Sequence, residues 1–287
     1  MRPQEAPRPT PGQAVSRRRV GIIGYGALGR HLAAALLHGP ASATHELAFV
    51  YNRRPEALAD LPEALRLHDL RQAERRQPDL IVEVAHPSIT WEHGPTFLRF
   101  GDYLVGSPTA LARPGVEDAL RRAASTHGLY VPRGALPGLE EVLGLVARGQ
   151  LAQAHITMRK HPASLKLDPE PDPPLHLTTS ERVLHDGPLR PLCERAPNNV
   201  NTMAVLALAS GLGFDRLRAT LIADPALQHH ITEVDLWGPE TGGPRFRLEL
   251  RRSSPAGAGA VTSSATFGSF LDSLLGARGR GPGLHLC

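Results

Sequence analysis

The sequence predicts an α/β chain of two domains, the first built on a parallel sheet and the second an α+β unit. Three observations carry this. Across residues 19–137, apolar runs of strand length alternate with Ala/Leu-rich helical stretches, the pattern of parallel strands joined by helices and covered on both faces. Across residues 138–260, strand-like runs follow one another with few helices between them, as in a mixed or antiparallel sheet. A chain of 287 residues suits two domains of ordinary size better than one.

Taken in order, residues 1–18 are Pro-rich, lack an apolar core and a helical period, and read as a disordered leader rather than a signal peptide. Val20-Gly21-Ile22-Ile23 is a buried strand and residues 29–37 a helix; residues 46–51 are a second strand, with a helix near 55–60. Residues 80–85 form a third strand, and 103–105 and 129–131 two more, separated by a helix at 115–126. In the second half, 139–147 is a helix, 154–159 a strand, and the proline-rich acidic stretch 167–174 a surface loop. Strands recur at 183–184, 219–223, 231–236 and 246–251, interrupted by one helix at 201–209. Residues 261–275 carry the apolar spacing of a last amphipathic helix, and the Gly/Arg-rich tail 277–287 reads as loose.

Composition excludes several classes. The hydrophobic share of 41% and charged share of 21% are those of a soluble globular protein. No apolar run approaches the roughly 18 residues of a membrane helix, so no membrane partner is expected and the cytoplasm is the default compartment. Cys193, in a Pro-flanked loop, and Cys287, the last residue, make neither a disulfide framework nor a zinc ligand set, and no metal is expected. The net charge of +4 comes from arginines in short scattered bursts, and aromatics are only 5%, so a nucleic-acid surface is not expected. A mildly basic protein does attract anionic substrates and cofactors.

The first strand leads directly into Gly24-Tyr25-Gly26-Ala27-Leu28-Gly29 and then a helix, the context a dinucleotide-binding Rossmann domain requires. Gly24 permits the tight turn, Gly26 lets the backbone approach a pyrophosphate, and Gly29 allows close helix–strand packing. The phosphates then meet the unpaired N–H groups at the helix N-terminus. The second strand ends in Asn52-Arg53-Arg54, with no carboxylate to bind a ribose 2′-hydroxyl. A guanidinium there can pair with a 2′-phosphate, which favours NADP; Asn52 can still bond a hydroxyl, which keeps NAD open. Arg53 and Arg54 as ordinary surface residues is the competing reading.

More specific than the glycines are Asp79-Leu80-Ile81-Val82-Glu83-Val84-Ala85-His86-Pro87, Leu104-Val105-Gly106-Ser107-Pro108-Thr109-Ala110-Leu111 and Arg133-Gly134-Ala135-Leu136-Pro137-Gly138. Ala196-Pro197-Asn198-Asn199-Val200-Asn201 and Ile222-Ala223-Asp224-Pro225 follow in the right order. Over residues 19–275 the chain resembles the L-aspartate dehydrogenase family, most of all its animal branch, the aspartate dehydrogenase domain-containing proteins. The resemblance implies a Rossmann domain, a substrate domain with an open sheet, and a final helix, residues 261–276, returning to the first domain. It also implies a homodimer, and hydride transfer from Cα of L-aspartate to the nicotinamide, giving iminosuccinate, which hydrolyses to oxaloacetate and ammonia or feeds NAD biosynthesis.

Carried over residue by residue, the family's cofactor-contacting Ala falls on Ala135 and its Asn on Asn201. Ala135 follows a strand at the carboxyl edge where open α/β sheets bind ligands, whereas Asn201 at a helix start can equally be an N-cap. The family's catalytic histidine follows an Asp-Pro, and rigid counting from Asp224 puts Thr232 in its slot. A shortened loop puts His230 there instead, with His229 in reserve, and His230 is the reading adopted. The chemistry asks for an imidazole in any case, because the amine must be neutral before hydride leaves and imine hydrolysis shuttles protons near neutral pH. Ala85 and His86 follow the third strand on the same edge, where His86 can touch nicotinamide or play a structural part before Pro87. A dicarboxylic amino acid needs cations, and Lys160, one of two lysines, is the candidate carboxylate partner; a solvated surface lysine is the alternative. Two other functions remain: an NADP-linked dehydrogenase of another amino or hydroxy acid, and an NADPH-binding sensor without catalysis.

Overall fold

The computed structural model describes residues 17–260 and 264–287. The expected leader, but for its last two residues, lies outside the described residues, as do residues 261–263 of the expected last helix.

The first domain is a parallel sheet of seven strands. β1 (Arg18–Ile23) leads into α1 (Ala27–His38), β2 (His45–Tyr51) and the two-residue β3 (Arg66–Leu67). β4 (Leu80–Glu83), α2 (Pro87–Phe97), β5 (Asp102–Val105), α3 (Val116–Ala123) and β6 (Gly128–Val131) follow. The order β3-β2-β1-β4-β5-β6 is that of a doubly wound dinucleotide fold, with its switch point between β1 and β4. β4 and β6 are buried along their whole length, as strands covered on both faces must be. α1 buries Gly29, Leu32, Ala33 and Leu36, a helical stripe against Val20 and Ile22 of β1.

The second domain follows α4 (Leu139–Ala147). Its mixed sheet has the order β11-β10-β7-β9-β8, where β7 is Gln153–Lys160, β8 Arg182–Pro188, β9 Arg218–Ala223, β10 His229–Trp237 and β11 Arg247–Pro255. Only β7 and β9 run parallel. Residues of α4, α5 (Leu189–Arg195) and α6 (Asn201–Ala209) cover one face through Val142, Leu192 and Met203, and α7 (Gly213–Arg216) is a single turn before β9. α8 (Ser264–Gly276) returns to the first domain, where Phe270 and Leu274 pack with Val20, Leu32 and Leu36.

Three expectations are corrected, and one helix, α2, was not expected. The helix near 55–60 is a 3₁₀ turn, Pro55–Leu58. α2 was hidden by its own prolines: Pro87 sits at the first position, where its missing N–H costs nothing, while Pro95 removes an internal bond and the helix stops two residues later. Cys193 lies not in a loop but buried within α5, where burial pushes its thiol up to about 12, an inert cysteine. The tail is not loose. β12 (Gly283–Leu286) adds a seventh parallel strand beside β6, and Cys287 O accepts from Arg133 N and from Ser273 Oγ. Its pairing is made by backbone groups, which hydrophobic periodicity does not report.

Candidate active site

After β1 the chain turns at Gly24, whose φ of +107° belongs to glycine, and Gly24 N donates to Tyr51 O at 2.8 Å. A Cβ on Gly29 would strike the Gly24 carbonyl, so that glycine is a packing requirement. Gly26 differs. Its φ of −80° suits any residue, and an added Cβ would meet nothing within 4 Å. Nothing in the packing of the described residues asks for glycine there, and α1 above it has no side-chain cap, so no capping side chain occupies its first-turn N–H groups. Gly26→Val is therefore expected to fold normally and to lose dinucleotide binding. Fluorescence titration with NADH checks this, and a folded variant of unchanged affinity would remove the loop from the site.

The loop rests on Asn52, whose Oδ1 accepts from Tyr25 N at 3.3 Å while Nδ2 donates to Arg54 O at 3.1 Å. Asn52 is thus a brace. Tyr25 is buried under the Arg30 guanidinium and donates to Asp60 Oδ2 at 3.2 Å. Ala27 is exposed and Leu28 half-buried at the start of α1. Arg53 and Arg54 are exposed, and among the described residues neither has an ion-pair partner.

A cavity of about 110 Å³ lies between the domains. Leu28, Gly106 and Ala135 line it from the first domain, Lys160, Asn201, His230, Thr232 and Ser254 from the second, and Phe270 from α8. Sheet alternation builds the second-domain wall. Met158 and Lys160 of β7 share a face with His230 and Thr232 of β10, where Thr232 opposes Met158 and His230 opposes Ser254 of β11. His229, one step away, is exposed on the other face.

Lys160 is 4% exposed, and its Nζ donates to Asn199 O at 3.0 Å with no carboxylate beside it among the described residues. Burial pushes its ammonium down to about 8. It is no solvated surface lysine. His230 is buried with its Nε2 unpartnered among the described residues, while a backbone hydrogen bond to Ala260 holds the ring. Burial, and then the Lys160 charge, pushes this imidazole down to about 4, so it stands neutral with a lone pair buried at the cavity wall.

Asn201 is not an N-cap; Val200 holds that position. Its Oδ1 instead accepts from Thr109 Oγ1 at 3.2 Å, joining α6 to the first domain beside the cavity. Ala85 and His86 are exposed. The His86 ring is the N-cap of α2, with Nδ1 accepting from Ser88 N at 3.2 Å, and it stands edge-on to Trp91. It lines an adjoining cleft of about 570 Å³ with Arg113 and Lys166, not the cavity that holds Lys160 and His230.

Sequence reasoning missed several groups. Asn199 pins the Lys160 loop, donating to Ser164 O at 2.8 Å and accepting from Lys166 N at 2.8 Å. Glu83, fully buried at the end of β4, carried a signal: a carboxylate in an apolar strand is rare and needs partners. Among the described residues no His, Cys, Asp and Glu group could hold a metal ion, and no helix is long and apolar enough to cross a membrane.

Comparison with known proteins agrees with this architecture. The family model for the C-terminal part of aspartate dehydrogenase matches residues 141–273, and that for the NAD binding domain of homoserine dehydrogenase matches residues 24–132. The chain is 43% identical to an aspartate dehydrogenase domain-containing protein of Xenopus tropicalis, over 94% of this chain and 98% of the relative. It is 33% identical to an L-aspartate dehydrogenase of Bordetella bronchiseptica, over 77% of this chain and 84% of that one. The crystal structure of aspartate dehydrogenase from Thermotoga maritima shares the fold, with a TM-score of 0.66 at 22% identity over 92% of this chain and 98% of that one. With a matching dinucleotide domain, a matching C-terminal domain and near-complete coverage of its animal relative, the chain belongs to the aspartate dehydrogenase family.

Proposed function

We propose that the protein is an NAD(P)-dependent dehydrogenase that oxidises the amine of L-aspartate. One observation carries this reading: a buried ammonium, Lys160, without a counter-ion among the described residues, beside a buried neutral imidazole, His230, on one wall of the interdomain cavity. An uncompensated buried cation is costly, and an anionic ligand group relieves that cost. The names of relatives such as the Bordetella bronchiseptica L-aspartate dehydrogenase support a carboxylate-bearing amino acid.

The open space over Gly26, the uncapped start of α1 and the unpaired Arg53 and Arg54 fit a nicotinamide dinucleotide. In this reading Gly24 to Gly29 and Asn52 shape the cradle, and Ala85, His86, Ala135 and Asn201 border its far end. When bound there, the cofactor supplies the hydride acceptor. Lys160 pairs with a substrate carboxylate, and His230 Nε2 takes the proton that the substrate ammonium must lose. The carboxylate also offsets the Lys160 charge that holds His230 down, so substrate binding raises the basicity of the imidazole when it is needed.

Absorbance of the reduced nicotinamide, followed with a panel of amino and hydroxy acids, tests the reading. L-aspartate is expected to be the preferred substrate; dinucleotide binding without turnover of any of them would leave a sensor. NADP is expected to bind at least as tightly as NAD. The double substitution Arg53→Ala/Arg54→Ala should cost NADP on the order of 1.5–3 kcal/mol, about ten-fold or more, and leave NAD nearly unchanged. An unchanged NADP affinity with NAD preferred throughout would overturn that assignment. We also assign a homodimer, which light scattering of the purified protein tests.

A further inference from the structure

Glu83 closes β4 at the middle of the first sheet, between Ile23 of β1 and Val105 of β5. Its side chain is fully buried and has no cation beside it among the described residues. Backbone and hydroxyl donors from two turns surround it instead. Oε1 accepts from Ala85 N at 2.7 Å and from Ser107 Oγ at 3.1 Å, and Oε2 accepts from Ser107 N at 2.9 Å. The Glu83 backbone carbonyl also accepts from Gly106 N at 2.9 Å. One residue therefore grips both turns where β4 and β5 diverge.

Those turns border the site. Gly106 and Pro108 line the interdomain cavity, and His86 lines the cleft beside it. An apolar residue would end β4 equally well but leave the Ala85 and Ser107 N–H groups unpaired. A carboxylate suits the place because it only accepts, at several lone-pair positions. The groups facing it are few. Tyr103 of β5 is buried and donates to or accepts from Thr90 of α2 at 2.9 Å, its phenol raised by burial and then by the Glu83 charge; His86 of the α2 turn offers its backbone N–H; Phe270 of α8 lies over Gly106.

We infer that Glu83 is a positioning residue: its ionised carboxylate sets the spacing of the Ala85–His86 and Gly106–Ser107 turns, and through them the seat for the nicotinamide end of the dinucleotide. This rests on the dehydrogenase reading above. Burial pushes the Glu83 carboxyl up to about 7, so acid takes away an acceptor site close to neutrality. The neutral form then resembles glutamine, with one acceptor position fewer for the backbone N–H groups of Ala85 and Ser107.

The test is NADH affinity against pH, NADH being chosen because it lacks a titrating 2′-phosphate. Wild type is expected to lose about ten-fold in affinity between about pH 8 and pH 6. Glu83→Gln is expected to start about ten-fold weaker and to stay flat across the same range. Ser107→Ala, which removes the hydroxyl bond and leaves the backbone donors, should lie between them and keep the slope, and it carries the test where Glu83→Gln does not fold. A role in folding alone would change the melting temperature and leave both affinity and slope as in wild type. A folded Glu83→Gln with wild-type affinity and slope overturns the inference while leaving the dehydrogenase reading intact. With Glu83→Gln unfolded, a flat wild-type profile and an unchanged Ser107→Ala overturn it too. Wild type that binds no dinucleotide at all overturns both.

Discussion

His230→Ala is expected to lower turnover of L-aspartate by about 10² to 10⁴, the usual cost of removing a positioned acid/base, with dinucleotide affinity nearly unchanged. Three features single out this imidazole. It is buried at the cavity wall, its Nε2 has no partner among the described residues, and its ring is held by the backbone at Ala260. His229→Ala should do little, because that side chain is exposed on the opposite face of β10. Thr232→Val should cost less than His230→Ala, since a hydroxyl does not titrate near neutrality. The depressed imidazole has a pH consequence as well. Its folded-state value of about 4 lies below the ordinary 6.5, so the stability it contributes is present above that ordinary value and lost as pH falls toward 4. His230→Ala should accordingly flatten the acid limb of stability. Steady-state kinetics decide the main point: a His230→Ala enzyme that keeps most of the wild-type rate sinks the assignment.

Lys160→Met is expected to make the protein more stable and the enzyme far worse. The ammonium is held at about 8 against an ordinary 10.5, a burial cost on the order of 3 kcal/mol at about 1.4 kcal/mol per unit. The sign follows from the direction. A folded-state value below the unfolded one means stability is lost as pH falls from 10.5 through 8, so the full cost is present near neutrality. Methionine has a similar length and no charge, so the variant should melt several degrees higher near neutral pH, with a gain that shrinks in alkali. Losing the partner of a buried substrate carboxylate should meanwhile cost about 2–5 kcal/mol in kcat/KM. Melting curves at two pH values with kinetics on L-aspartate check both halves. Unchanged kcat/KM would free Lys160 from the substrate, and a lower melting temperature would mean the ammonium is already satisfied in the fold.

How much of this was legible depended on the range of the interaction concerned. The strand–glycine–helix passage from Val20 to Leu36 could be read outright, because its turn, packing and helix stripe are relations between near neighbours. β12 could not, since four residues with two leucines carry little pattern and are placed by pairing with β6 far away in sequence. α2 was masked by local signals that point the other way, its prolines. Glu83 stood in plain sight in its apolar strand, but its meaning lies in Ser107, in the turn after a different strand, β5.

The site shows the same division. From sequence, His229, His230 and Thr232 were rival occupants of one slot, differing by small shifts in counting. Strand alternation sets His229 apart, because a one-residue step turns a side chain to the opposite face of the sheet, and only pairing with β7 and β11 decides which face meets the cavity. His230 and Thr232 share that face, and there the imidazole is the group that can take a proton near neutrality. Lys160 was a cation of unknown exposure until Asn199 and the second sheet enclosed it. Asn201 was an N-cap candidate until Thr109 of the other domain took its oxygen. Local backbone rules and residue spacing determined that a dinucleotide cradle and a two-domain α/β chain are present. Which polar groups lose their water, and which of them then lack a partner, only the tertiary structure decided, because burial is a property of what packs around a residue and not of its neighbours in the chain.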